Sequence, residues 1–365
     1  MKTAVVLFNL GGPDSPQAVR PFLFNLFNDP AIIGLPTPFR GLLARLISSR
    51  RHKVAQAIYD QIGGRSPILP QTEDQARALD IVLNSGGSET GGEWKSFVCM
   101  RYWHPRAEAV VRAVKEWQPD RVLLLPLYPQ FSTTTTGSSL REWYRLAMVH
   151  DLIAPTQAVC CWPVLAGFVD AVAQLTAPRL AEAAKHGRPR VLFSAHGLPE
   201  KVIRAGDPYA DHVMASARAI AARLRLQQED AAGNGDWLMC FQSRVGPLKW
   251  LGPYTDQTIV QTAKAKRPIV IVPLAFTSEH SETLVELDIE YRHLAEQHGA
   301  PAYLRVPTVQ THPAFIAGLV GLTRQVLTND RLVQSAEGQR RCVADRRGCP
   351  IVSVARALGA TSVKA

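Results

Sequence analysis

Nowhere in the 365 residues is there a run of about eighteen apolar residues, the length that crosses a bilayer as a helix, so no membrane-spanning helix is expected. The first residues, Met1 to Asn9, enter a strand-like stretch directly and lack the pattern of a cleaved secretory signal, which makes the cytoplasm the expected compartment. Cysteine is scarce, six in all, and without a secretory context these thiols argue against a disulfide framework. The spaced glycines of a dinucleotide-binding loop are also missing, and the first strand breaks at Gly11-Gly12-Pro13 instead. No compact motif for reading nucleic acid is visible. Acidic residues are outnumbered, 31 against 41 Lys and Arg, and the formal charge of +10 points to an acidic partner such as an anionic small molecule or a membrane surface.

Short apolar runs do alternate with amphipathic stretches. Val5 to Leu10, Ser96 to Tyr102, Arg121 to Pro126, Val191 to Phe193 and Pro268 to Pro273 read as strands, with helices near residues 71 to 84 and up to about Trp117 and a polar loop over 85 to 93. Pro16 begins a helix that Asp14 or Ser15 can cap. Such alternation implies parallel sheets covered on both faces, a doubly wound α/β fold. By length the chain makes two domains, read as residues 1–150 and 151–328, followed by an extension over 329–365. Residues 21 to 47 are rich in Phe, Leu and Ile but broken by Pro30, Pro36 and Pro38. They are either core or a greasy lip, bordered by Arg40, Arg45, Arg50, Arg51 and Lys53.

Two stretches carry the chemistry. Val191-Leu192-Phe193-Ser194-Ala195-His196-Gly197 ends a buried strand on a histidine, and ligand crevices in open α/β sheets form at the carboxyl ends of strands. The second runs from the strand Pro268 to Pro273 through a loop of small polar residues into a helix where Glu282, Glu286 and Glu290 recur every fourth residue. At about 100° per residue they form one acidic stripe. A solvated helix face normally shows basic partners at such spacing, but the first base is Arg292. Protons or a cation are therefore expected to neutralise the stripe. An internal echo links the halves: Val6 to Pro13 matches Val191 to Pro199, and Leu125-Pro126-Leu127 matches Val272-Pro273-Leu274. A ligand cleft between the two halves would set aromatic and basic groups of the first against His196 and Glu282 of the second.

The motifs Leu10-Gly11-Gly12-Pro13, Arg101-Tyr102-Trp103-His104-Pro105, Tyr128-Pro129-Gln130, Ser194-Ala195-His196-Gly197-Leu198-Pro199, Gln242-Ser243-Arg244-Val245-Gly246-Pro247 and Phe276-Thr277-Ser278-Glu279-His280-Ser281-Glu282-Thr283-Leu284 resemble, in the same order, those of the ferrochelatases, and the resemblance covers roughly residues 3 to 325. It implies two Rossmann-like halves around a porphyrin cleft and the insertion of Fe²⁺ into protoporphyrin IX, the last step of haem synthesis. It makes His196 and Glu282 the pair at the metallation centre, with Glu286 and Glu290 continuing an acidic line that could also carry metal. It places Leu10, Arg51, Ser66, Arg101, Tyr102, Tyr128, Trp250, Phe276 and His280 near the ring, and Ser132 offers a hydroxyl for a propionate.

The chemistry fits. Metal insertion removes two pyrrole protons and delivers a partly dehydrated Fe²⁺, and a neutral imidazole can accept a proton or ligate iron. His196 is favoured as proton acceptor with Glu282 assisting, and direct ligation by the pair stays open. Competing readings are a non-enzymatic haem or porphyrin carrier, a related chelatase using cobalt or nickel, and a Ser194/His196 hydrolase, which lacks the usual nucleophile elbow. Some ferrochelatases hold a [2Fe–2S] cluster on a cysteine-bearing extension. Here only Cys342 and Cys349 lie in the tail, so Cys160 or Cys161 would have to complete the set, and Thr133 stands where the animal pattern has cysteine. Peripheral membrane contact through residues 22–46 and a homodimer complete the expected partners; nucleic acid is not among them.

Overall fold

The computed structural model describes residues 1–85, 92–228 and 235–351. Most of the loop expected over 85–93, and the part of the expected extension beyond Ile351, lie outside the described residues. The chain divides into two compact units. Unit 1 holds Met1–Trp162, Leu319–Val343 and Pro350 with Ile351, and unit 2 holds Pro163–Gly318 and Ala344–Cys349.

Unit 1 runs β1 (Lys2–Asn9), one 3-10 turn (Pro16–Ala18), α1 (Val19–Phe27), α2 (Thr37–Asp60), α3 (Ile68–Asn84), β2 (Glu93–Met100), α4 (Ala107–Trp117), β3 (Arg121–Pro126), α5 (Thr136–Val149) and β4 (Thr156–Val159). Unit 2 runs α6 (Ala166–Ala184), β5 (Arg190–His196), α7 (Glu200–Arg204), α8 (Tyr209–Arg223), β6 (Trp237–Gln242), α9 (Thr255–Lys264), β7 (Ile269–Pro273), a π-helix (Glu282–Glu290), α10 (Tyr291–Gln297) and β8 (Tyr303–Arg305). The chain then returns to unit 1 through α11 (Pro313–Val326) and β9 (Val333–Gln334).

Both sheets are parallel, in the orders β2-β1-β3-β4-β9 and β6-β5-β7-β8. Because β4 pairs with β3, the boundary falls at Trp162 rather than at residue 150, and because β9 pairs with β4, part of the expected extension is an edge strand of the first sheet. Apart from that strand the two orders are the same, which gives the sequence echo a structural counterpart. The inner strands are apolar through their centres because helices cover both faces: Val5, Val6 and Leu7 in β1 and Val191, Leu192 and Phe193 in β5 have no exposed surface. In each sheet the chain leaves the first strand for one neighbour and returns to the other, so the strand pairs β1/β3 and β5/β7 are topological switch points, where crevices open at carboxyl ends.

The apolar stretch 21–47 splits in two. Phe22 and Leu23 on α1 are buried with Val19, Tyr59 and Tyr102, and so are core. Ile32, Leu35, Phe39, Leu42 and Leu46 are exposed, Phe39 by 65% and Leu42 by 68%. Phe39, Leu42 and Leu46 share one face of α2 at helical spacing.

The expected helix at Pro16 is a single 3-10 turn before α1, and the Ser15 hydroxyl at its cap bonds to Asp14 Oδ1 rather than to the turn's backbone. The preceding glycines do need to be small. Gly11 has φ +82°, and a Cβ on Gly12 would stand 2.5 Å from both Cβ and Oγ of Ser66. Ser66 in turn donates its N–H to the Pro13 carbonyl at 2.7 Å, so the loop after β1 is packed on the turn before α3. Gly12→Ala should lower the free energy of unfolding by about 1–3 kcal/mol through overpacking, measured by urea denaturation.

Candidate active site

In unit 2 the switch point between β5 and β7 brings the two singled-out stretches together. His196 is the last residue of β5, and Glu282 opens the π-helix that follows β7. Their side chains meet with His196 Nδ1 2.9 Å from Glu282 Oε2. The imidazole neighbour holds the Glu282 carboxyl well below the usual range against the opposing effect of its burial. An ionised carboxylate only accepts hydrogen bonds, so Nδ1 carries the hydrogen and Nε2 of neutral His196 presents its lone pair. Burial acts to lower the His196 pKa, but the Glu282 charge outweighs it and the net shift is upward. The side chain keeps 37% of its surface exposed, so the imidazole is reachable from solvent.

The carboxylates are tied down by β6. Ser243, just past its end, donates Oγ–H toward Glu282 Oε2 at 3.1 Å, shares Oγ with Glu286 Oε2, and donates its N–H to Glu286 Oε1 at 3.0 Å. Ser243 does this from φ +64°, a left-handed conformation uncommon for a residue with a side chain and frequent at functional sites. Tyr291 Oη donates to Glu286 Oε1 at 2.8 Å. Burial, with the Glu282 charge adding to it, pushes the Glu286 carboxyl up. Glu282 is thus the anionic partner of the base and Glu286 the carboxyl that more readily holds a proton.

The acidic stripe therefore exists, on different geometry from the expected α-helix. Tyr291 N–H bonds to the Glu286 carbonyl five residues back, the π pattern, which is rare and concentrates at functional sites. Glu282 and Glu286 meet through Ser243, whereas Glu290 is exposed at the end of the segment and has no part in this network. The hydrogen-bonding partner that the stripe lacks on its own helix comes from β5, as His196.

Around the pair, the Trp250 ring lies 6.3 Å from the His196 ring and is partly exposed, a neighbour of the base rather than a core residue. Phe276 and His280 stack at 4.3 Å between centroids, and His280 Nε2 approaches Glu282 Oε1 to 3.8 Å, ion-pair range but too long for a hydrogen bond. Ser194 is fully buried and bonded to Gln242 Oε1 and Thr255 Oγ1, which removes it as a nucleophile. Gln242, Ser243, Tyr291 and Tyr209, whose hydroxyl caps the His196 carbonyl at 3.0 Å, belong to the site and were given no role from sequence. Gln242 and Ser243 stood in a motif carried by the family resemblance, without a side-chain partner assigned to them.

In unit 1, Leu10, Arg101 and Tyr102 come together, since Tyr102 N–H bonds to the Leu10 carbonyl and Arg101 N–H to that of Asn9. Arg101 and the Tyr102 hydroxyl both engage Asp29, a residue sequence reasoning missed. Ser66 is buried, its Oγ accepting from Ile68 N at 3.3 Å, and Ser132 Oγ lies 2.8 Å from Thr134 Oγ1. Tyr128 is buried, which raises its phenol pKa. Arg51 is exposed on α2. Cys160 and Cys161 are buried with Sγ atoms 3.6 Å apart. Among the described residues no group of three or more His, Cys, Asp or Glu is arranged to hold a metal ion, and no helix is long and apolar enough to cross a membrane.

A doubly wound α/β scaffold with a histidine–carboxylate pair at a switch point defines a ligand-binding protein equipped for proton transfer. Comparison with known proteins narrows this. The ferrochelatase family matches residues 2–327. A ferrochelatase of Caulobacter vibrioides is 51% identical over 349 residues, covering 96% of this chain and 97% of that protein, and one from Wolbachia sp. subsp. Drosophila simulans is 49% identical over 322 residues, covering 88% and 98%. The solved structure of SirB from Bacillus subtilis with Fe³⁺ aligns over 89% of this chain and 96% of its own at 13% identity, with a TM-score of 0.48. The chain belongs to the ferrochelatase family, the metal chelatases of haem biosynthesis.

Proposed function

We propose that the chain inserts Fe²⁺ into protoporphyrin IX, with His196 Nε2 taking a pyrrole proton while Glu282 stabilises the resulting imidazolium. The 2.9 Å contact of His196 with Glu282 is the observation that carries this reading. Glu286, with its raised pKa, is suited to receive a proton through Ser243, and the same carboxylates suit a divalent cation on its way to the ring. Leu10, Trp250 and Phe276 are assigned to the porphyrin faces, with Arg101 and His280 near them, and Arg51 to its polar edge; Tyr102, Tyr128, Ser66 and Ser132, nearly or wholly buried, back that surface from behind. An anaerobic absorbance assay with Fe²⁺, Co²⁺ and Ni²⁺ tests the reading. Turnover fastest with Fe²⁺ supports it, preference for another metal supports the related chelatase, and binding without turnover supports a carrier.

The exposed face Phe39, Leu42 and Leu46 with Arg50, Arg51 and Lys53 supports cytoplasmic location with peripheral attachment to an anionic membrane. A finer reading of the cofactor, a [2Fe–2S] cluster on Cys342, Cys349 and Cys160 or Cys161, would show as acid-labile sulfide and visible absorption in anaerobically purified protein; adjacent thiols such as Cys160 and Cys161 are awkward to place on one iron, and among the described residues no three such groups are gathered.

The pH dependence follows from the His196–Glu282 pair. Since the base works neutral and its pKa is raised, kcat/KM should climb with pH through an apparent pKa above about 6.5, the ordinary histidine value. Any residual activity of Glu282→Gln should show that limb moved to lower pH, because an amide no longer favours the imidazolium. A limb unmoved in that variant would assign the titration to another group.

A further inference from the structure

Asp29 is 3% exposed, and its carboxylate gathers three side chains that lie far from it in sequence. Its Oδ2 accepts from Tyr102 Oη at 2.8 Å and Ser138 Oγ at 2.5 Å and pairs with Arg101 Nη2 at 2.9 Å. Its Oδ1 accepts from Ala31 N at 2.8 Å, and its carbonyl accepts from Ile32 and Ile33 N. Arg101 also donates Nε–H to Ser138 Oγ at 2.8 Å and lies 5.2 Å from the Tyr102 ring centroid. One carboxylate thus joins the end of β2, the start of α5 and the turn from which the exposed apolar segment 32–46 departs.

We propose that Asp29 is a positioning residue for porphyrin binding, fixing Arg101, Tyr102 and the turn 29–33 as one rigid edge. This rests on the reading of unit 1 as porphyrin-contacting. Two consequences separate it from an ordinary buried ion pair. The Arg101 charge is already matched inside the protein, so propionates fall to exposed cations such as Arg51 and Lys53 on α2. Disturbing Asp29 should also weaken porphyrin binding selectively, because the His196–Glu282 pair lies in the other unit.

The test compares Asp29→Asn and the milder Ser138→Ala with wild type, measuring KM for protoporphyrin and for Fe²⁺, kcat, and the thermal midpoint as a check on folding. Asp29→Asn should raise the porphyrin KM by about tenfold and Ser138→Ala by about threefold, in line with loss of hydrogen bonds to a charged group, with the iron KM unchanged within about twofold. A folded Asp29→Asn whose porphyrin KM stays within about twofold of wild type, or whose kcat alone falls, overturns the proposal. Should Asp29→Asn fail to fold, Ser138→Ala decides in the same way. Leu10→Asp serves as the control. If it too leaves the porphyrin KM unchanged, the assignment of unit 1 to porphyrin fails, whereas if it raises KM and the other variants do not, only the role of Asp29 fails.

Discussion

Replacing His196 with alanine should lower kcat for iron insertion by about 10²–10⁴-fold, the usual contribution of a positioned general base. Protoporphyrin binding, followed by fluorescence quenching, should change little, because the large apolar contacts remain. His196 ends a strand whose interior is wholly buried, and only its side chain reaches solvent, so truncation there leaves the core intact. Turnover above about a few per cent of wild type would remove His196 from the proton-transfer role, since that lies outside the range expected for such a base. Loss of porphyrin binding together with turnover would instead make the imidazole a contact for the ring.

Glu282→Gln should have the second largest effect, a fall in kcat of about 10²-fold, near the low end of the same range. The amide is nearly isosteric and can still bond to Nδ1, but it cannot balance the positive charge that appears on the ring when a proton arrives. It also removes the carboxylate that Ser243 shares with Glu286, so the second acid loses its neighbour's influence. If the pair acts as a unit, the double variant His196→Ala/Glu282→Gln should be no slower than His196→Ala alone, as groups in one catalytic unit are strongly non-additive. Fully additive losses in that double-mutant cycle would mean that Glu282 works independently, for example on the metal.

Much of the fold was legible because parallel strands buried on both faces leave an unmistakable trace, short apolar runs that end at glycine or proline. The same trace placed His196 at a strand end and Glu282 after the neighbouring strand, which is why the pair could be named. Other features left weaker marks. A spacing of four residues suits an α-helix and a π-helix alike, so the geometry of Glu282–Glu290 was hidden in a correct periodicity. β4 has four residues and β9 two, too few for any pattern, so the first unit was closed before β4 and β9 was counted in a separate extension. Asp29 bonds to partners 73 and 109 positions away, a relation no local window contains. Ser243 owes its place to a backbone conformation that its side chain does not advertise. The stretch 21–47 read as core or rim because it is both.

The matching strand orders assign Leu10 and His196 the same station in their sheets, since Phe8 faces Pro126 as Ser194 faces Pro273, and the N–H groups of Leu127 and Leu274 close the two ladders on the carbonyls of Phe8 and Ser194. On the proposed mechanism the two copies of the frame divide the labour, one placing the proton-handling group at that station and the other a hydrocarbon. Directed evolution of tetrapyrrole preference should then succeed within the first copy, reshaping its surface around Leu10 while the titration of the imidazole in the second stays as it was.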